Sequence, residues 1–102
     1  MRTYRSARSH RVHADPVAAV IRIATVVVVG IIVLHILLVL LEANPGNSLV
    51  STLTDWADGL TGWARDLFTP DNPKARVFVN EGLAAVVYAV LGGAVARAVA
   101  RI

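Results

Sequence analysis

Residues 23–41 read IATVVVVGIIVLHILLVLL, nineteen consecutive positions without a charge and with His35 as the one strongly polar side chain. At 1.5 Å per residue a helix of that length approaches the ~30 Å of a bilayer's hydrocarbon core. Asp15-Pro16 supplies a start, an acceptor side chain followed by a residue whose missing N–H costs nothing in the first turn. Asn44-Pro45-Gly46 supplies a stop. The stretch predicts a transmembrane helix over 15–43. A buried helix of a soluble protein is rarely so apolar for so long. A cleaved signal sequence is disfavoured by the length of the apolar core and the poor cleavage pattern around Leu41-Glu42-Ala43.

A second apolar run, Val77–Ala96, contains Asn80 and Glu81, and its clean part begins at Gly82. Asp71 or Asn72 can cap it, with Pro73 in the first turn, and Arg97 and Arg101 can snorkel from its far end. The expected architecture is therefore all-α: a two-transmembrane-helix antiparallel hairpin, with the second span and a short basic end over 73–102.

Charge placement sets the orientation. The chain is 56% hydrophobic and carries a net charge of +3. Residues 1–22 hold five arginines (Arg2, Arg5, Arg8, Arg11, Arg22) against Asp15, residues 42–81 hold three basic and six acidic groups, and Arg97 and Arg101 close the chain. The sign alternates across the apolar runs, so the basic balance points to membrane topology and no nucleic acid is expected. Arginine-rich flanks stay cytoplasmic, which places both termini inside and 44–72 outside, as in a multi-pass bacterial inner-membrane protein. Residues 1–14 read as a disordered basic leader drawn to anionic lipid. With no cysteine, disulfides and thiolate sites are excluded.

Between the runs, Leu49, Val50, Leu53, Trp56, Ala57, Leu60, Trp63, Ala64, Leu67 and Phe68 keep one face of a 3.6-residue helix, with Asp55, Asp58, Thr61, Arg65 and Asp66 opposite. The spacing predicts an amphipathic helix over about 48–69, flat on the outer leaflet, with Trp56 and Trp63 as interfacial anchors. Gly59 and Gly62 weaken it by about 1 kcal/mol each relative to Ala, so a kink or two shorter helices is also expected.

The order of parts resembles one repeat of the YggT (YlmG) family of small bacterial and plastid membrane proteins: an apolar helix, Asn44-Pro45-Gly46-Asn47, an amphipathic stretch with Thr54-Asp55 and Arg65, Phe68-Thr69-Pro70, and a second apolar helix. The likeness covers about 31–96. Trp56 stands where that family usually has Pro, and one repeat is present where many members have two. The resemblance implies a non-enzymatic role in cell-envelope organisation, division or membrane-complex assembly.

His35, Asn80 and Glu81 are the intramembrane polar candidates. They predict an interhelical hydrogen bond, or, on a sharper reading, part of a proton path. Ala85, Ala89, Gly92, Gly93 and Ala96 lie on small-residue stripes suited to close helix packing. His10 and His13 lack a third metal ligand nearby, and no catalytic, metal or cofactor pattern is present. The expected function is a structural or accessory subunit of a membrane complex, with the bilayer and other membrane chains or a second copy as partners. An oligomeric proton- or ion-conducting element using His35 and Glu81, or an anchor presenting the basic leader, are the alternatives.

Overall fold

The computed structural model describes residues 14–101; the basic leader, with Arg2, Arg5, Arg8 and Arg11, and Ile102 lie outside the described residues. The described residues form helix α1 (Ala14–Leu40), helix α2 (Ser48–Thr61), a 3-10 turn (Gly62–Ala64) and helix α3 (Pro73–Arg101), with no strand among them. Helices α1 and α3, of 27 and 29 residues, are both long and apolar enough to cross a membrane. Val17, Val20, Ile23 and Val26 on α1 and Val86 and Val90 on α3 expose half or more of their surface.

The long helices pack against each other along their length. Residue 35 meets residue 81 and residue 25 meets residue 92, so position rises along one helix as it falls along the other. Their shared core is the cluster Ile32, Ile36 and Ala85, against which Val28, Val29, Leu60, Val77 and Tyr88 pack. Helix α2 lies on the α1 side of the pair and the 3-10 turn touches α3.

Three of the boundaries have a clear local cause, whereas α1 already includes Ala14, so Asp15, expected as its N-cap, lies within the helix. Asn72 caps α3, its Oδ1 accepting from the N–H groups of Lys74 (2.9 Å) and Ala75 (3.4 Å). Asn47 does the same for α2 through Leu49 (2.9 Å) and Val50 (3.4 Å). The end of α1 comes earlier than Asn44-Pro45-Gly46. Glu42 adopts a left-handed conformation with φ 56. Its N–H donates to Val39 and that of Ala43 to Leu38, the double closure of a Schellman motif. Glycine is the usual residue at such a position, which is why this stop is not apparent in the sequence.

The middle segment differs from a single helix over about 48–69. Helix α2 ends at Thr61, whose φ of −112 and ψ of 3 leave the helical region, and one 3-10 turn follows. Its buried line is Leu53, Ala57, Thr61 and Ala64. Thr61, expected on the polar face, is 1% exposed, and its hydroxyl is satisfied by donating to the Ala57 carbonyl at 2.7 Å. A threonine can turn its hydroxyl back onto its own helix and so occupy an apolar contact.

Candidate functional site

His35 and Glu81 come from opposite helices and meet at 2.6 Å between Nδ1 and Oε1, with the two residues 5% and 7% exposed. With Nδ1 protonated, the ring donates to the carboxylate, which fixes the histidine's orientation. This contact forms the base of a cleft of about 490 Å³. Val39 on α1, Asp58 and Thr61 on α2, Arg65 beyond the 3-10 turn, and Pro73, Arg76, Val77 and Asn80 on α3 complete its lining.

Asn80 bonds to the connecting segment and not to His35. Its Oδ1 accepts from the Phe68 N–H at 2.9 Å, and its Nδ2 donates to the carbonyls of Arg65 (2.6 Å) and Phe68 (2.8 Å). Three bonds to an irregular stretch of backbone make this one side chain a clamp. It is 2% exposed, so each bond replaces one that water cannot supply. About two turns further along α3, the Tyr88 hydroxyl donates to the Leu60 carbonyl at 2.6 Å and accepts from the Trp63 indole N–H at 3.2 Å. The two rings meet edge to face, with centroids 6.1 Å apart.

Around the mouth, charges are paired. Arg65 meets Asp58 at 2.6 Å, Arg76 meets Asp66, and Lys74 meets Glu42 at 2.9 Å. Every basic residue between 42 and 81 thus has a carboxylate partner. The Lys74 ammonium, by hydrogen bond and then by charge, holds the Glu42 carboxyl below its usual value of 4.5.

The packing candidates separate into two sets. Ala85 and Ala96 are buried, and Gly92 abuts Thr25: a Cβ built on Gly92 would lie 2.6 Å from Thr25 Cγ2 and 2.8 Å from its Cβ. Ala89 is exposed, and a Cβ on Gly93 would meet open space. Trp56 is 55% exposed and makes no polar contact among the described residues, whereas Trp63 is tied to Tyr88. Arg97 and Arg101 are exposed near the end of α3. Nothing in the sequence marked Thr25; Arg76 was legible only as basic, and Arg65 as a polar-face residue of the amphipathic stretch, because a cleft assembled from three separate segments has no spacing signature. No family model, curated protein or solved structure matches the chain.

Proposed function

We propose that the chain is a non-enzymatic integral membrane protein, a two-span helical hairpin that serves as a structural or accessory subunit of a larger membrane assembly. The observation that carries this reading is the outward face of the helix pair. Val26 is 70% exposed, Val20 64%, Ile23 63% and Val90 60%, on helices 27 and 29 residues long. Contiguous apolar surface on that scale is stable in lipid and aggregates in water. The arginines outside the spans favour cytoplasmic termini in a bacterial inner membrane, with α2 on the outer side. The resemblance to the YggT (YlmG) repeat is what suggests an envelope, division or assembly context.

Alkaline carbonate extraction followed by affinity purification in mild detergent tests both halves of the proposal. The expected outcome is retention in the membrane fraction and recovery of either a partner chain or a second copy. Release by carbonate would remove the membrane reading; a strict monomer without partners would remove the accessory reading. The native chain has no cysteine, so single introduced cysteines at Ser6 and Ser48 would report sidedness by impermeant labelling. Only the second is expected to react from outside.

The buried His35–Glu81 contact favours one alternative, a proton-conducting element formed by oligomerisation. Beyond that contact, however, Ile32, Ala85, Val28 and then Thr25 against Gly92 fill the interface, which supports packing over conduction. Proton flux in liposomes that vanishes in His35→Ala would reverse that preference. Loss of localisation on deleting residues 1–14 would instead favour an anchor that presents the basic leader.

A further inference from the structure

Three tethers along α3 measure how far the connecting segment travels beside the helix pair. At the rim, Lys74 pairs with Glu42. Six residues on, Asn80 holds the backbone of Arg65 and Phe68. Eight further on, Tyr88 holds the Leu60 carbonyl and the Trp63 indole. From Lys74 to Tyr88 is about 21 Å of helix at 1.5 Å per residue, shortened somewhat because helical side chains lean toward their own N-terminus. The α1 side gives a matching depth. Leu60 packs on the Ile32–Ile36–Ala85 cluster, and Ile32 is the central residue of the charge-free run 23–41.

We propose that α2 and the turn after it form a re-entrant element whose tip, at Leu60–Ala64, is immersed among the acyl chains of the outer leaflet. This rests on the two-span reading above and replaces a helix lying flat at headgroup level. The segment descends from Asn47, turns near the level of Ile32, and climbs past Asn80 to Pro70–Pro73.

Two independent features fit lipid around the tip. First, several groups of its irregular backbone are bonded from within. Arg65 and Leu67 donate to the carbonyls of Gly62 and Ala64, Leu60 O accepts from Tyr88 and Trp63, and Asn80 takes three groups of the returning strand of chain. Non-helical backbone is tolerated at membrane depth only on such terms. Second, large apolar side chains crowd the surface at and just beyond the tip: Trp63, Leu67 and Phe68 stand 51%, 53% and 51% exposed. The neighbouring charges are paired, Arg65 with Asp58 and Arg76 with Asp66, which lowers the cost of holding them near acyl chains.

The two tryptophans make the depth measurable. Trp56→Phe leaves Trp63 as reporter near the tip; Trp63→Phe leaves Trp56, seven residues nearer the rim. The full chain is reconstituted in phosphatidylcholine vesicles carrying lipid brominated either near the headgroup or at mid-chain. The expected result is a ratio of mid-chain to headgroup quenching above one for Trp63 and below one for Trp56. Adding Tyr88→Phe to Trp56→Phe should lower the Trp63 ratio, because the indole loses its tether; this variant keeps the test open should Trp63→Phe not fold. Both tryptophans quenched best near the headgroup would overturn the re-entrant placement while leaving the two spans intact. No quenching of either, with release of the chain by carbonate, would overturn both.

Discussion

At one level of the helix pair His35 and Glu81 meet at 2.6 Å in the lining of the cleft; about ten residues along each helix, Thr25 sits on Gly92 and turns its hydroxyl back to its own Ile21 carbonyl at 2.8 Å. The first contact joins two titratable side chains. The second seats the Thr25 side chain on the Gly92 backbone, with no hydrogen bond crossing between the helices. In the bilayer proposed for this pair, where apolar burial between helices brings little gain, association would rest on these two devices, an interhelical polar bond and close approach over small residues. They fail differently. A polar pair is lost when one partner is left alone, whereas a close contact is lost when anything is added.

Breaking the polar contact should have the largest effect. Glu81→Leu leaves His35 buried without its partner and is expected to destabilise the helix pair by about 3 kcal/mol. The double variant His35→Leu/Glu81→Leu should recover most of that, measured by thermal unfolding in mild detergent. A double variant no better than the single would show that the pair itself, and not an orphaned imidazole, carries the stability.

The apolar contact comes next. Gly92→Val places methyls where Thr25 already stands and should cost about 2–3 kcal/mol by overpacking. Adding Thr25→Ala should restore part of it. The same substitution at Gly93, which has open space, is expected to have little effect. Equal losses at both glycines would mean that helix propensity, and not the approach of α1, governs this region.

Asn80→Ala removes three bonds to the connecting segment and should cost about 2 kcal/mol locally. Its signature is regional: faster proteolysis between Gly62 and Pro70 while the helix pair stays folded. Unchanged proteolysis would show that Tyr88 and the buried face of α2 suffice to hold the segment.

The smallest effect belongs to the rim. The Glu42 carboxyl titrates below its usual value because of Lys74. Its contribution is therefore complete above about 4.5 and lost as pH falls through the lower folded value. Melting temperature should decline over that acid interval, and Lys74→Ala should flatten this part of the profile. Glu42 is fully exposed, so the change will be slight.

Much of this molecule was written in its local sequence. The nineteen-residue run 23–41 and the Ala/Gly-rich run after Glu81 set two long apolar helices, because length and absence of charge act residue by residue. Asn72-Pro73 marked the start of α3 for the same reason. Partnership was less legible. Ala85, Gly92 and Ala96 stood out as small residues, but so did Ala89 and Gly93, and only the rotation of α3 against α1 decides which of them meets a neighbour. Asn80 and Glu81, adjacent in sequence, point to different tasks, one to the returning chain and one to His35. The stop at Glu42 and the burial of Thr61 were hidden because a strained φ and a hydroxyl folded back on its own carbonyl leave no mark in composition. Sequence by itself determined that the chain carries two long apolar helices with a short amphipathic helix between them. Tertiary structure alone decided how far that middle segment reaches along the pair, since depth is set by which distant side chains, Tyr88 and Asn80, find its backbone.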